Sequence, residues 1–328
     1  MKKQYNGLDL LKFFMALMVV MIHVSPSSHS QLLTNMFRPL LSIAVPMFFT
    51  ISSTLLFCKV NIKGGGCIFN YCKRIGILYL CWLLIDSWFI IVRKPYFDMG
   101  IWQGLIEFIK DVIFGTTFPG SWYLSASVMG VLFVYSFSKV LGKYVVFIFT
   151  IIIALYVSNI EQLPLTMQIP YDWYAANLRE EVSLSFPAQM VWISLGQILS
   201  LYLTKLENNK RIILPVSAGL SVVAFVAFSF LPLFLLKVMM VLSLFVFCFL
   251  VQLADNKIYK RLRNYSILMF FFHFSIAGKM ALFCGFVGDT LFTNWLYYII
   301  VVTVSVIFSE VILQMEKYKL FSFLRYLH

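Results

Sequence analysis

Ionisable residues inside apolar stretches are the features of this sequence that could carry chemistry. The first apolar stretch contains Asp9, Lys12 and His23, and a later stretch contains His273 among phenylalanines. On insertion scales such a group costs about 3 kcal/mol at the centre of a membrane helix, so each one is a candidate functional residue. An imidazole titrates near neutral pH and can take a proton from a hydroxyl group, whereas a lysine offers a positive charge to an anion.

The spacing of Lys12 and His23 places both on one helical face. They are 11 residues apart, which at 100° per residue is about 20° from whole turns, with a rise of about 16 Å. We expect Lys12 toward the cytoplasm and His23 toward the outside. The alternative is that Lys12 reaches the inner headgroups and pairs with Asp9, while His23 only caps the outer end of the helix.

His273 lies near the middle of its apolar stretch, where neither membrane interface is within reach of its side chain. Exposure of this imidazole to lipid would leave a polar group without a partner. We therefore expect His273, Lys12 and His23 to face a common water-accessible cavity. The alternative is a structural histidine that hydrogen-bonds a serine on a neighbouring helix.

The composition indicates what kind of protein must position these residues. Of 328 residues, 61% are hydrophobic and 12% are charged. Soluble chains are roughly half apolar and about a quarter charged, so a soluble enzyme, a disordered chain and a disulfide-rich secreted module are excluded. Long apolar runs without alternation favour helices over barrel strands. The sequence predicts an all-α integral membrane protein, a bundle of about ten transmembrane helices within the lipid bilayer.

Basic residues between the apolar runs predict the orientation. With the amino terminus in the cytoplasm, inner segments carry 18 Lys and Arg and outer segments carry 5. This asymmetry predicts that both termini are cytoplasmic, and it explains the net charge of +12 without nucleic acid. The predicted spans are residues 8–25, 39–58, 75–92, 120–138, 144–158, 185–203, 211–230, 233–251, 265–284 and 295–313.

Two further segments have an amphipathic pattern. Residues 101–113 place their apolar side chains on one helical face, which predicts an interfacial helix on the outer leaflet. Residues 318–327 alternate aromatic and basic side chains and are expected on the inner leaflet. Cys67 and Cys72 have no neighbouring histidines, so we expect no metal site. One domain is expected over residues 1–328, with no appended soluble domain.

Several motifs together resemble a known family. The run Gly7-Leu8-Asp9-Leu10-Leu11-Lys12, followed after ten residues by His23, resembles the opening of the membrane acyltransferase-3 family. Four later segments resemble further motifs of the family, in the same order along the chain. They are Val45 to Phe49 with Ile51 to Ser53, Lys73 to Ile75, Ser121 to Leu124, and Ser266 with Phe272-His273. The chain departs from the family pattern in three places. Lys12 stands where the family usually has arginine. Ser52-Ser53 stands where the family has a Ser-Gly pair, and Ser121 stands where it often has histidine.

The resemblance implies transfer of a small acyl group, commonly acetyl, from cytoplasmic acyl-CoA to a hydroxyl acceptor outside. The acceptor would be a cell-envelope glycan or another small hydroxylated molecule, and the location a bacterial cytoplasmic membrane. His23 and His273 would be catalytic, with His23 taking the acceptor's proton. The donor-binding residues would be Lys12, Lys73 and Arg74. No Ser-His-Asp order can be assigned, so we expect direct transfer without an acyl-enzyme.

Two alternatives remain open. The membrane half of the vancomycin-resistance serine racemases, in the same family, resembles this chain in length and plan and is associated with inward movement of L-serine. A transporter of this type would use the intramembrane His and Lys to bind a carboxylate or relay protons, without CoA. The other alternative is a catalytically silent membrane scaffold.

Overall fold

A computed structural model describes the backbone of residues 5–87, 90, 96, 98–284 and 290–328; the side chains of residues 279–284 lie outside the description. These residues form twelve α-helices and three 3₁₀-helices, with no β-strand among them. The α-helices are Asn6–Val24 (α1), Gln31–Lys63 (α2), Gly66–Ile85 (α3), Ile101–Phe114 (α4), Ser121–Leu141 (α5), Lys143–Ser158 (α6), Leu165–Asn177 (α7), Phe186–Asn208 (α8), Lys210–Phe230 (α9), Phe234–Leu250 (α10), Lys257–Cys284 (α11) and Leu291–Met315 (α12). The 3₁₀-helices are Ile160–Gln162, Val182–Leu184 and Lys319–Leu327.

Seven of the described helices are long and apolar enough to cross a membrane: α1, α2, α3, α5, α8 with the preceding 3₁₀-helix, α9 and α12. The shorter helices α6 and α10 are also apolar, and α11 covers the ninth predicted span. Each of the ten predicted spans therefore overlaps a helix. The expectation of an all-α membrane protein is confirmed, and the chain is a multi-pass membrane protein.

Three helices begin eight or nine residues before their predicted spans. α2 begins at Gln31 instead of residue 39, α3 begins at Gly66 instead of residue 75, and α11 begins at Lys257 instead of residue 265. The early turns contain the basic residues that the sequence analysis assigned to loops. Lys and Arg are good helix formers, so a helix continues past the apolar segment that hydropathy detects. Residues 88, 89, 91 and 92 of the third predicted span lie outside the described residues.

The helices form two compact units, of which unit 1 comprises residues 1–48 and 203–328. Within it, α1 packs mainly against α11, and α9 packs against α10. A Cβ atom at Gly7 would overlap the carbonyl oxygen of Cys248, so glycine permits the close approach of α1 to α10. Met15 and Val20 of α1 and Met269 of α11 are fully buried, so the contact between the two helices has an apolar core.

Unit 2 comprises residues 49–202. Small and polar side chains join its helices, as is common where membrane helices pack closely. A Cβ atom at Gly196 of α8 would overlap the Oγ of Ser53 on α2. The hydroxyls of Thr150 on α6 and Ser194 on α8 are 2.6 Å apart and share a hydrogen bond.

In the described part of the chain, three short helices outside the predicted spans expose apolar side chains. The amphipathic helix expected over residues 101–113 is present as α4, in which Ile101 is 86% and Trp102 is 79% exposed. The carboxyl-terminal 3₁₀-helix exposes Leu320 and Phe323. The third segment, α7, is a helix that the sequence analysis did not predict, and it exposes Trp173.

Candidate functional site

Two histidines from different helices meet in unit 1. His23 lies in the last turn of α1, and His273 lies within α11. Their ring centroids are 5.0 Å apart, and the ring planes are tilted by 38°. The contact between α1 and α11 therefore brings together the two residues expected to be catalytic. We call His23 and His273 the histidine pair.

The tautomer of His273 follows from its hydrogen bond. Its Nδ1 lies 2.8 Å from the carbonyl oxygen of Met269, one turn earlier on α11. A carbonyl oxygen only accepts hydrogen bonds, so Nδ1 carries the proton in the neutral ring and Nε2 holds a lone pair. The side chain is 3% exposed, and Nε2 has no hydrogen-bond partner among the described residues. His273 thus presents a buried acceptor atom.

His23 occupies a different environment. Its side chain is exposed, and its ring contacts the ring of Phe274 edge-on at a centroid distance of 5.6 Å. α1 ends directly afterwards, where Ser25 adopts the left-handed conformation with φ 49°. The pair therefore combines an accessible imidazole with a buried one, an arrangement that can receive a proton from a ligand and share it with a second nitrogen.

Lys12 lies on α1 as well, partly buried, toward the opposite end from His23. It acts electrostatically on the carboxylate of Asp9, one turn earlier. Asp9 is 6% exposed and also lies 3.7 Å from Nη1 of Arg263 on α11. The interaction of Lys12 with Asp9, which belongs to the alternative interpretation of this helix, is therefore part of a larger cluster that includes Arg263.

Arg263 is the residue of this cluster that the sequence analysis missed. Hydropathy places Arg263 in an inner loop, because the apolar part of α11 starts after it. Its contact with α1 depends on the packing of two helices more than 200 residues apart in sequence. No local pattern indicates such a contact.

Lys73 and Arg74 lie on α3 in unit 2, with exposed side chains. Arg74 acts electrostatically on the phenol of Tyr123, which also lies close to Ser52. The ring centroid of Tyr123 is 4.6 Å from that of Phe49. Parts of three segments that resemble family motifs therefore meet in unit 2.

Within the described ranges, no group of three His, Cys, Asp or Glu side chains is placed to hold a metal ion. Ser121, where the family often has histidine, is fully buried at the start of α5 and donates a hydrogen bond of 2.6 Å to the carbonyl oxygen of Phe118. Its hydroxyl is thus used to close the turn before α5.

Comparison with known proteins identifies the family. Two proteins from Enterococcus faecalis named amino-acid racemase are similar, one 29% identical over 151 residues and the other 32% identical over 133 residues. These matches cover 41% and 39% of this chain, but only 20% and 18% of the racemases. No solved structure gives a significant match. The acyltransferase domain of the acyltransferase-3 family matches residues 5–313, a range that includes the histidine pair. The chain therefore belongs to the acyltransferase-3 family.

Proposed function

We propose that the protein transfers a small acyl group, acetyl in the simplest case, from cytoplasmic acyl-CoA to a hydroxyl of an acceptor on the other side of a bacterial cytoplasmic membrane. The observation that carries the proposal is the histidine pair, with its buried, unpartnered Nε2, in a chain that matches an acyltransferase family over nearly its whole length. The acceptor is a cell-envelope glycan or a small hydroxylated molecule.

The chemical step is direct transfer. The acceptor oxygen attacks the thioester carbonyl carbon, a C–O bond forms, and the C–S bond breaks. His23 takes the proton of the hydroxyl as the attack proceeds, because a neutral hydroxyl is a weak nucleophile. CoA leaves as a thiolate and then receives a proton. Nε2 of His273, held as an acceptor by the Met269 carbonyl, stabilises the positive charge on His23 while the proton is there.

The donor requires positive charge on the cytoplasmic side, because CoA carries phosphates. Lys12 on α1 and Lys73 and Arg74 on α3 supply it in the proposal. A lysine at position 12 provides charge without the planar fork of arginine, so its contact with the donor is a point-charge contact.

The test uses full-length protein in lipid nanodiscs with acetyl-CoA as the probe. Wild type is expected to bind CoA and, with water in place of the acceptor, to hydrolyse acetyl-CoA slowly to acetate and CoA, whose free thiol is measured with a thiol-reactive dye. His23→Ala is expected to lose the release, and His29→Ala is the matched control because His29 lies outside the pair, exposed between α1 and α2. Wild type that neither binds CoA nor releases thiol would contradict the proposal.

A second candidate is inward transport of a small amino acid such as L-serine. The similarity to proteins named amino-acid racemase favours it, because such proteins act on amino acids. A transporter would use the histidine pair to bind a carboxylate or to carry protons. Uptake of labelled serine into proteoliposomes in the absence of CoA, with no thioester turnover, would favour this candidate over acyl transfer.

A further inference from the structure

A polar cluster lies in unit 1 at the end of α1 remote from His23. We call it the α1–α11 cluster; it consists of Asn6, Asp9 and Lys12 of α1 and Arg263 of α11. Asn6 is 8% and Asp9 is 6% exposed, while Arg263 is partly exposed at its side chain. Basic residues are concentrated at the start of α11, so the positive-inside rule puts the cluster at the cytoplasmic surface.

The guanidinium of Arg263 has unused hydrogen-bonding capacity. Its Nη1 is 3.7 Å from Oδ2 of Asp9, which is an electrostatic contact but too long for a hydrogen bond. The guanidinium makes no hydrogen bond to any described residue. A guanidinium has five N–H donors in a planar fork, a geometry that suits the oxygens of a phosphate.

The cluster also contains two buried acceptor atoms, of which the one on Asp9 faces this guanidinium. Asn6 donates from Nδ2 to the carbonyl oxygens of Ala254 at 3.1 Å and Leu253 at 3.4 Å, so its Oδ1 points the other way. Oδ1 of Asn6 and Oδ2 of Asp9 are buried without a hydrogen-bond donor among the described residues. Asn6 and Asp9 are three residues apart and lie on one face of α1. A bound group with N–H donors would satisfy both atoms.

The charges of the cluster do not cancel. Lys12 and Arg263 both act on the carboxylate of Asp9. At their ordinary charges, the side chains of the cluster sum to +1. Arg261, one turn before Tyr265 on the same helix, differs: its guanidinium is paired with the carboxylate of Glu310, which also accepts a hydrogen bond from Tyr265. The guanidinium of Arg263 therefore lacks the hydrogen-bonded carboxylate partner that Arg261 has.

We infer that the α1–α11 cluster binds the polar part of the acyl donor, with Arg263 contacting a CoA phosphate and with Asn6 and Asp9 accepting hydrogen bonds from CoA N–H groups. CoA fits because it combines phosphates with amide and amine N–H groups in one molecule. The inference rests on the proposed function and adds three donor-binding residues to it. It also assigns to the planar guanidinium of Arg263 the phosphate contact through two N–H groups that the ammonium of Lys12 cannot make.

The test measures dissociation constants by calorimetry in nanodiscs, with CoA and inorganic pyrophosphate as separate probes. Arg263→Gln is expected to weaken binding of both probes by about 10- to 100-fold, the usual worth of a charge-assisted contact. Arg263→Lys should recover part of the loss, because the charge returns without the fork. Arg261→Gln is the matched control, and its affinity should stay within about twofold of wild type because its charge is already paired.

Asn6→Ala distinguishes the hydrogen-bond acceptors of the cluster from its phosphate-binding guanidinium. It removes an acceptor that CoA can use and pyrophosphate cannot, so only CoA binding should weaken. Melting temperatures of all variants show whether each one folds. If Arg263→Gln does not fold, the affinities of Arg263→Lys and wild type are compared instead, and they decide whether Arg263 contacts the donor. CoA binding by wild type that is equally unaffected by Arg263→Gln and Arg261→Gln would overturn the inference and leave the proposed function standing. Absence of CoA binding by wild type would instead contradict the proposed function.

Discussion

The two histidines of the pair differ in burial, and the proposed mechanism gives them different tasks. His23 is exposed and can meet an acceptor, whereas His273 is buried and keeps one nitrogen as an acceptor. Burial of an unpartnered nitrogen costs stability, about 1–3 kcal/mol for such a group. A protein that only needed packing among phenylalanines would be more stable with an apolar residue there. The cost of burying this imidazole supports the catalytic role that we propose for the pair.

Removing each histidine should have a different signature. His23→Ala is expected to lower acyl transfer by roughly 10²–10⁴-fold, the usual worth of a positioned base, while CoA binding stays near the wild-type value. His273→Phe should also lower transfer but keep or raise the melting temperature, because an aromatic ring replaces a buried unsatisfied group. Incorporation of labelled acetyl into the membrane fraction measures transfer. A normal rate for both variants would contradict the roles assigned to the pair.

Lys12 should behave in the opposite way to His23. Lys12→Ala removes a positive charge that the anionic donor needs, so the loss should appear mainly as weaker CoA binding. Lys12→Arg keeps the charge and adds the fork geometry, and it should preserve activity. Titration with CoA and the acetyl-CoA dependence of the rate check both variants. A rate defect for Lys12→Ala that persists at saturating acetyl-CoA would argue against a donor-binding role.

Residue types and spacing predicted which side chains are candidate functional residues, but they predicted only part of how these side chains are arranged. The spacing of Lys12 and His23 predicted one stripe on α1, because helical geometry is local. The meeting of His23 with His273, and of Asp9 with Arg263, depends on which helices pack together and at what rotation. Such contacts between distant segments are decided by tertiary packing, so no pattern in the sequence specifies them.

At the scale of elements, a buried arginine joins two helices of unit 2 that expose apolar surface. Nη1 of Arg179 donates hydrogen bonds to the carbonyl oxygens of Gly115 at 2.6 Å and Phe114 at 3.1 Å, at the end of α4. The ring of Phe114 contacts that of Tyr174 on α7 edge-on at a centroid distance of 6.0 Å. Burial lowers the pKa of Arg179, and the nearby Glu181 partly offsets the effect. Arg179 thus holds α4 and the end of α7 together.

Loss of this arginine should destabilise the fold more than loss of its acidic neighbour. Arg179→Met leaves the α4 carbonyl groups without their donor and should cost about 2 kcal/mol. Glu181→Gln removes an ion pair whose carboxylate side is 65% exposed, and exposed pairs contribute at most about 1 kcal/mol. Thermal unfolding of the two variants in the same nanodiscs checks the order. Equal melting temperatures would show that Arg179 does not join the helices.

Helices were predictable where the sequence is apolar and were missed where it is mixed. All ten apolar runs overlap helices, because a backbone in lipid must satisfy its hydrogen bonds internally. α7 was missed because Gln168, Pro170 and Asp172 interrupt its apolar pattern. The early starts of α2, α3 and α11 were missed for a related reason, since hydropathy detects the lipid-embedded part of a helix and not its extension into the headgroup region.

At the scale of the whole molecule, the chain forms two compact units whose boundaries fall near Phe48 and Tyr202, inside α2 and α8. A boundary within a continuous helix produces no change in composition and no linker signal, so the sequence could not indicate it. The orientation in the membrane rests instead on charge. The asymmetry of 18 against 5 basic residues holds only if the ten spans alternate from a cytoplasmic amino terminus.

Labelling of single cysteines tests this orientation. The six native cysteines would be replaced by serine or alanine, and one cysteine placed at Gly64, between α2 and α3, or at Glu180, after α7. Gly64 has φ +82° but nothing within 4 Å of a Cβ atom, so the new side chain has room and only backbone strain to overcome. We expect a membrane-impermeant maleimide added to intact cells to label position 180 and not position 64. After the membrane is opened, both should react, which controls for accessibility.

Labelling of position 64 from outside, or of position 180 only after opening, would reverse the predicted orientation. It would also remove the physical basis for a cytoplasmic donor at the α1–α11 cluster, because the positive-inside rule is the reason for placing that cluster on the cytoplasmic side.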